Sequence, residues 1–237
     1  VNTCYFIKNL IYLEEIAAVI GKNDDIPYLV SLRQAAEKAV KDAFYNADTD
    51  SFASGIQGAD AFAVWCGLAG IETAQRLAKH YDELGHFDTG FLCTDILCEV
   101  LFEHGFGDTV LKLLESEKLG SFLYMKRRGA TTIWEYFIGK CSHNHPMFGA
   151  CARSLFEGIL GIRQATNSYG YEKICFDPSL PSDMNYACGS ILTPRGRISV
   201  ALRRFGDKIE ATLTVPDAVT VIRAEREGYS IEIERNS

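Results

Sequence analysis

Residues 4–21 of the chain read CYFIKNLIYLEEIAAVIG, and this stretch sets the pattern for the sequence up to residue 165. Its apolar residues recur at intervals of three and four, which is the spacing of one face of an α-helix. They are Phe6, Ile7, Leu10, Leu13, Ile16, Ala17 and Ile20. Gly21 follows, and glycine is common just past the end of a helix because it tolerates a positive φ. The stretch therefore predicts a helix over Cys4–Ile20.

The same combination of an apolar helical face and a closing turn recurs along the chain. Proline is favoured in the first turn of a helix, so Pro27 predicts a second helix that stops near Asn46. After a polar loop, further helices are predicted over Asp60–Leu68, Ile71–Leu84, Phe91–His104, Asp108–Glu117 and Pro146–Leu160. Consecutive helices joined by short turns pack as antiparallel pairs. Residues 1–165 are therefore expected to form an all-helical array of hairpins, with the polar loop over Ala47–Gly58 and no strand.

From Tyr171 onward the apolar residues alternate with a period of two, which is typical of β-strands. Strands are predicted over Lys173–Phe176, Met184–Leu192, Arg197–Arg204, Lys208–Val215, Val219–Ala224 and Tyr229–Glu234. Turn residues such as Pro194-Arg195-Gly196 lie between them. Residues 170–237 are therefore expected to form a second domain, an antiparallel β meander or sandwich.

The overall composition excludes several classes of protein. Of the 237 residues, 47% are hydrophobic and 23% are charged, which is typical of a globular protein and not of a disordered or collagen-like chain. Lys8, Glu14 and Glu15 interrupt the most apolar stretch, so no membrane span is predicted. The net charge is -7 and no long run of lysines or arginines occurs, so nucleic acid is not an expected partner.

The cysteines and the first residue bear on the compartment and on the extent of the protein. The eight cysteines form no CxxC pair, and most fall in apolar patterns where cysteine acts as a small hydrophobic residue. A reducing compartment, the cytoplasm, is the simpler expectation. The chain begins with Val1 and not with Met, so we expect the start of the natural gene product to be missing.

The stretch Gly120–Pro146 is unusual because it shows no helical pattern of its own. Long connections of this kind are more often functional than not. It contains Trp134 beside Glu135, and then Asn144 beside His145. An aromatic ring can stack on a sugar while a carboxylate and an imidazole bind hydroxyl groups or transfer protons, so a sugar site is one interpretation. The alternatives are that Trp134 fills the core and that Glu135 is a solvated surface charge.

Other kinds of site have little support in the sequence. Cys141, His143 and His145 are neighbours, but the two histidines are too close in sequence for a typical zinc site and no second ligand cluster occurs. Nothing orients Cys141 or Cys151 against a histidine as a nucleophile would require. Gly105-Phe106-Gly107 indicates a helix stop and restart and not a phosphate loop. We therefore predict no metal and no cofactor.

Several segments taken together resemble a known family. They are Gly129-Ala130-Thr131-Thr132-Ile133-Trp134-Glu135, Ser142-His143-Asn144-His145, Phe148-Gly149-Ala150, Leu160-Gly161-Ile162 and Thr193-Pro194-Arg195-Gly196. In this order they resemble the C-terminal half of the bacterial α-L-rhamnosidases, glycoside hydrolase family 78. Asp88-Thr89-Gly90-Phe91, with Asp95 and Leu97, also resembles the family's segment before a late barrel helix. The resemblance covers nearly the whole chain.

The resemblance implies a mainly α protein with a β tail, namely about the second half of an (α/α)6 toroid followed by an antiparallel β-sandwich. It implies hydrolysis of terminal α-L-rhamnosyl residues with inversion, which needs two carboxyl groups ~6.5–9.5 Å apart. The family's general base falls on Glu135 and its sugar-binding histidine on His145, with Trp134 and Asn144 also expected to contact the substrate. The implied partner is a rhamnose-containing oligosaccharide or glycoside.

Two departures from the family pattern affect these expectations. The connector Tyr136–Cys141 is short, so the rim of the pocket is expected to differ. The family's general acid belongs to an Asp-rich motif further upstream, and no such motif occurs between Val1 and Gly129. This chain is therefore expected to carry the base without the acid, and to be inactive alone.

The number of helices agrees with half a toroid. Seven are predicted, whereas a closed toroid of six hairpins needs about twelve. Half a toroid would expose larger apolar faces than monomers usually leave in water. Either the missing N-terminal half of the barrel or a second copy of the chain is expected to cover them. Two other functions stay open: a non-catalytic carbohydrate-binding or interaction fragment, and another (α/α)6 glycosidase such as an unsaturated glucuronyl hydrolase.

Overall fold

A computed structural model describes residues 1–53 and 58–236 and shows a helical region followed by a β region. The helices are α1 (Asn2–Val19), α2 (Ile26–Phe44), α3 (Ala59–Trp65), α4 (Ile71–Leu84), α5 (Phe91–Glu103), α6 (Gly107–Leu114) and α7 (Phe122–Arg127). A 3₁₀ turn, Asn23–Asp25, joins α1 to α2. The predicted order of a helical region before a β region is confirmed.

The helices pack as hairpins because each buries an apolar face against its neighbours. α1 lies along α2, α3 contacts α4 and α5, and α5 contacts α6. α4 ends at Gly85, whose φ of 70° is the left-handed conformation expected after a helix. α5 is the most enclosed helix, with buried residues on all sides, among them Ile96, Leu97, Val100 and Leu101. It lies at the centre of the helical region and supports the candidate site described below.

Two short elements of the helical region were not predicted. α7 lies inside Gly120–Pro146, the stretch expected to lack a helix. Its six residues make fewer than two turns, which is too short for an apolar period to show. A small hairpin, β1 (Tyr45–Asn46) with β2 (Ser51–Phe52), includes part of the expected polar loop, so the region does contain strands. Residues 54–57 of that loop lie outside the described residues.

The segment predicted as one α-helix over Pro146–Leu160 is helical but irregular. It is a 3₁₀-helix over Pro146–Cys151, an α-helix (α8) over Ala152–Ser154 and a π-helix over Leu155–Ile159. A Cβ at Gly158 would lie only 2.3 Å from Cγ of Phe102, so this segment crosses α5 at a distance that only glycine allows. The widened last turn accompanies that close approach, which is a tertiary constraint that helical periodicity does not contain.

The β region consists of two sheets. Its strands are β3 (Ile162–Gln164), β4 (Lys173–Phe176), β5 (Tyr186–Thr193), β6 (Gly196–Phe205), β7 (Lys208–Pro216), β8 (Thr220–Arg223) and β9 (Tyr229–Asn236). One sheet has the order β3-β4-β8 and the other the order β5-β6-β7-β9. Strands β4 to β9 lie where the period of two predicted them. β3 was missed because three residues are too few to show alternation.

Two strand pairs are parallel, which corrects the expectation of a wholly antiparallel sandwich. β5, β6 and β7 pair antiparallel through tight turns, as their turn residues predicted. β4 pairs parallel with β8, and β7 pairs parallel with β9. After β7 the chain crosses to the first sheet for β8 and returns to the second sheet for β9. Turn residues indicate local reversals of direction, but they do not indicate which sheet the next strand joins.

One hydrophobic core runs through both regions. Along β6 the alternate side chains Ile198, Val200 and Leu202 are buried. They belong to the same buried cluster as Leu97 and Leu101 of α5. The β region is therefore continuous with the core that holds the helices in place.

α1 leaves an apolar face in solvent. Its residues Phe6, Tyr12, Leu13, Ile16, Val19 and Ile20 are between 46% and 64% exposed, and we call these six residues the α1 apolar face. Four of them follow the spacing of seven, three and four residues that is typical of a seam between packed helices. None of the helices within residues 1–53 and 58–236 is long and apolar enough to cross a membrane.

Candidate active site

The loop between α7 and the 3₁₀ segment brings two distant parts of the sequence together. The Glu135 amide donates a hydrogen bond to the Ser142 carbonyl at 2.9 Å, and the His145 amide donates one to the Ile133 carbonyl at 2.8 Å. The loop therefore runs as an irregular hairpin, although it contains no regular strand. This pairing explains why Glu135 and His145, ten positions apart, lie side by side.

Aromatic residues on the buried face of the loop anchor it to the core. The Phe137 ring lies 4.5 Å from that of Phe148, 5.6 Å from that of Phe122 and 6.3 Å from that of Phe87, measured between centroids. Trp134 and Phe137 are both 8% exposed. Because buried aromatic side chains flank Glu135 in the sequence, its backbone is fixed while its carboxylate stays near the surface.

Glu135 and His145 form the centre of the candidate site. The Glu135 Oε2 atom accepts a hydrogen bond from the Ser142 amide at 3.2 Å and lies 3.9 Å from Nδ1 of His145. The Glu135 and His145 side chains are 25% and 28% exposed, so solvent reaches part of each. Both contacts use Oε2, which leaves Oε1 for a water molecule or a ligand.

The His145 ring has a nitrogen that the protein does not satisfy. Nε2 is buried and has no hydrogen-bond partner among the described residues. The ring packs against Phe91 of α5 at a centroid distance of 5.7 Å, which fixes its position. A buried polar atom without a protein partner is usually satisfied by water or a ligand. Nε2 of His145 is thus a buried polar atom whose hydrogen bond the described residues do not supply.

The other two predicted site residues occupy different positions. Trp134 is buried, and its indole stacks on the His143 imidazole with centroids 4.7 Å apart and planes 21° apart. Asn144 is exposed, and its backbone amide donates a hydrogen bond to Oγ of Ser142 at 3.2 Å. The structure therefore brings Glu135 and His145 together, with Trp134 beneath the loop and Asn144 on its surface.

Sequence reasoning assigned no role to Ser142 or to Phe91. The Ser142 contact is made by the main chain, which leaves no residue-specific signal. Phe91 belongs to α5, and only the tertiary structure brings it against His145. Across the described ranges, no group of three or more His, Cys, Asp or Glu side chains is placed to hold a metal ion.

Helical hairpins in succession, followed by a β region, fit the class of six-hairpin glycosidases. Comparison with protein-family models is more specific. Residues 1–159 match the bacterial alpha-L-rhamnosidase 6 hairpin glycosidase domain, and residues 161–223 match the bacterial alpha-L-rhamnosidase C-terminal domain. The chain belongs to this family.

Individual relatives agree with the family models. The chain is 28% identical over 268 residues to an alpha-L-rhamnosidase of Alteromonas sp. (strain LOR), a match that covers 100% of this chain and 27% of that protein. The structure of the alpha-L-rhamnosidase from Dictyoglumus thermophilum matches with a TM-score of 0.81 and 27% identity, covering 91% of this chain and 26% of that one.

The Streptomyces avermitilis alpha-L-rhamnosidase, solved in complex with L-rhamnose, shares the fold with a TM-score of 0.82 and 24% identity. That match covers 92% of this chain and 22% of the other. The chain thus spans about a quarter of the length of the relatives it matches. The expected helical-hairpin domain followed by a β-sandwich domain is confirmed.

Proposed function

We propose that this chain is the C-terminal part of an inverting α-L-rhamnosidase and that Glu135 is the general base. The geometry around Glu135 carries the proposal: a carboxylate 25% exposed, held through Oε2 by the Ser142 amide, with His145 beside it. Family membership supports a rhamnoside as the substrate, because the relative from Streptomyces avermitilis was solved with L-rhamnose.

The proposed mechanism assigns the water-activating half of the reaction to Glu135. Inversion requires a base and an acid on opposite faces of the sugar, ~6.5–9.5 Å apart, so that a water molecule fits beside the base. Glu135 Oε1 takes a proton from that water. The water oxygen bonds to the anomeric carbon as the bond from this carbon to the aglycone oxygen breaks. The aglycone oxygen takes its proton from a general acid, which we assign to a part of the enzyme outside this chain.

The remaining predicted residues bind or shape the site in this proposal. His145 binds the sugar or the attacking water through Nε2, which is buried without a partner in the described part of the protein. Asn144 is exposed next to His145 and contacts the substrate. Trp134 shapes the site from below, since its indole is covered by His143.

We also propose that the α1 apolar face receives the preceding helices of the domain. Those six side chains are about half exposed, with the spacing of a helix-packing seam. The relatives are about four times as long, and a six-hairpin domain contains more hairpins than this chain supplies. An isolated chain would cover the same face by self-association.

Activity is tested with the chain alone and with the chain produced together with the region encoded upstream of Val1. The substrate is 4-nitrophenyl α-L-rhamnopyranoside. We expect negligible turnover by the chain alone, since general acid or base catalysis each contributes ~100- to 10,000-fold and the acid is missing. The longer protein is expected to turn over, and NMR of the first-formed sugar should show inverted anomeric configuration.

The role of Glu135 is tested by Glu135→Gln in the longer protein, with Glu232→Gln on exposed β9 as the matched control. Glu135→Gln should abolish hydrolysis and leave rhamnose binding intact, whereas Glu232→Gln should keep the full rate. An unchanged rate for Glu135→Gln would remove this residue from the mechanism. Retained anomeric configuration would contradict the inverting assignment.

A non-catalytic carbohydrate-binding fragment is the second candidate function. Two points favour it. The chain covers only 27% of the Alteromonas protein, and the site that we propose contains a general base but no general acid. This function predicts rhamnose binding by calorimetry without turnover, even in the longer protein.

We further propose a reducing compartment, the cytoplasm. All eight cysteines are free, and Cys141 and Cys188 are exposed, where an oxidising compartment would favour intermolecular disulfides. Titration of thiols in freshly lysed cells should find all eight reduced. Disulfide-linked dimers in the same lysate would contradict the assignment.

A further inference from the structure

We infer that His143 is a positioning residue for Glu135: its imidazole holds the two sides and the turn of the loop together and so fixes the carboxylate. The inference rests on the proposed function, because it concerns the orientation of the proposed base. His143 itself is exposed. Its contacts are to residues of the loop itself, namely Thr132, Trp134 and Gly139.

Three contacts connect His143 to the incoming side of the loop and to its turn. Its ring stacks on Trp134, one residue before Glu135, with centroids 4.7 Å apart. Its Nε2 lies 2.9 Å from the Gly139 carbonyl oxygen at the turn, a hydrogen bond in which the ring nitrogen donates. Its own carbonyl accepts a hydrogen bond from Oγ1 of Thr132. The imidazole, which belongs to the outgoing side, therefore contacts the incoming side at Trp134 and the turn at Gly139, while the Thr132 contact is made by the main chain.

The turn has two residues with left-handed backbone, of which Cys141 is strained because it is not glycine. Gly139 has a φ of 76° and Cys141 a φ of 63°, and a side chain in the left-handed region is unfavourable for a residue other than glycine. A Cβ at Gly139 would lie 2.8 Å from Cζ3 of Trp134, so the indole contacts this turn directly. Trp134, His143 and Gly139 thus form one packed unit.

The effect reaches Glu135 through Ser142, the residue next to His143. The Ser142 amide donates to Glu135 Oε2, and its carbonyl accepts from the Glu135 amide. A shift of His143 therefore moves both groups that orient the base. A misplacement of about 1 Å in a reacting group can lower the rate by about 100-fold.

The inference predicts a signature that other roles do not share. A residue that contacts the sugar would raise KM when removed, and a residue of the core would lower Tm. Loss of a positioning residue lowers kcat while KM and Tm stay nearly constant. For His143→Ala we expect a drop in kcat of about tenfold, equivalent to ~1.4 kcal/mol.

The claim that His143 holds the loop in place is tested on the 237-residue chain by amide hydrogen exchange. The variants are His143→Ala, His143→Phe, which keeps a ring on Trp134, and His80→Ala on α4 as an exposed control. In His143→Ala the Glu135 and Ser142 amides should exchange about tenfold faster, with His143→Phe in between and His80→Ala unchanged. Unchanged exchange at both amides in His143→Ala would overturn the inference.

The claim that His143 affects turnover through Glu135 is tested in the longer protein, with Glu135→Gln assayed in parallel. The expected result is a tenfold lower kcat for His143→Ala, partial rescue by His143→Phe, and full loss for Glu135→Gln. If Glu135→Gln abolishes turnover and His143→Ala leaves kcat unchanged, the positioning role fails and the proposed function stands. If Glu135→Gln keeps full activity, the proposed function fails and so does the positioning role that rests on it.

Discussion

Replacing Phe137 by alanine tests whether the aromatic cluster holds the loop that carries Glu135. Phe137 is 8% exposed, and its ring lies against those of Phe148, Phe122 and Phe87. The variant removes the whole ring from this cluster, two residues after the carboxylate. It therefore acts on the support of the site and leaves the polar residues unchanged.

The size of the effect follows from burial and from position. Truncation of a buried phenylalanine costs ~3–5 kcal/mol of unfolding free energy. Phe137 lies on an irregular loop whose neighbours can partly fill the space, so we expect about 3 kcal/mol, the low end of that range. In a protein of this size 1 kcal/mol corresponds to ~2–4 °C, so Tm should fall by ~6–12 °C.

The assay is thermal and urea unfolding followed by circular dichroism at fixed protein concentration. The control is Phe205→Ala on β6, a ring that is 56% exposed, which should change the unfolding free energy by less than ~0.5 kcal/mol. A further readout is hydrogen exchange at the Glu135 and Ser142 amides, which should accelerate in Phe137→Ala. A stability loss below ~1 kcal/mol together with unchanged exchange would refute the anchoring role.

Three further substitutions test other parts of the structure. Gly158→Ala should lower the unfolding free energy by ~1–3 kcal/mol in urea titrations, because the new Cβ would lie 2.8 Å from the Phe102 Cβ and no ring rotation relieves that contact. Ile16→Asp on the α1 apolar face should raise the monomer fraction of the isolated chain in analytical ultracentrifugation without lowering Tm, whereas an unchanged association constant would exclude this face. Burial raises the pKa of the Asp95 carboxyl although Arg153 lies beside it. The folded state therefore binds this proton more tightly than the unfolded state, and ionisation of Asp95 destabilises the fold as pH rises above the ordinary carboxyl range. The unfolding free energy of Asp95→Asn should therefore increase relative to that of the wild type as pH rises through this range. A difference in unfolding free energy that is the same at all pH values would contradict this.

The sequence predicted those parts of the fold that depend on local pattern. α4 begins at Ile71 and ends before Gly85, as predicted, because an apolar period and a left-handed glycine are properties of neighbouring residues. The π turn at Leu155–Ile159 was beyond such reasoning, because it depends on contact with Phe102. The parallel pair of β7 and β9 was missed for the same kind of reason, since its register depends on a crossing between sheets.

The sequence predicted which residues form the candidate site, but not which contacts hold them in place. The resemblance pointed to Glu135 and His145, and the structure brings them within 3.9 Å of each other. The resemblance could not indicate that the main chain of Ser142 orients the Glu135 carboxylate, because a residue of almost any type at that position has a backbone amide. The stacking partner of Trp134 was also unpredictable, since a buried indole and a sugar platform have the same sequence signal.

Glu135 contacts Ser142 and His145, and the aromatic anchor of its loop, Phe137, packs against Phe87, Phe122 and Phe148. The α1 apolar face belongs to a different part of the chain, residues 6–20, and is exposed. The side of the proposed site that carries the base is thus built from residues that do not belong to the α1 apolar face. In our proposal the general acid comes from a part of the enzyme outside this chain, while the aromatic anchors of this chain hold the loop with Glu135.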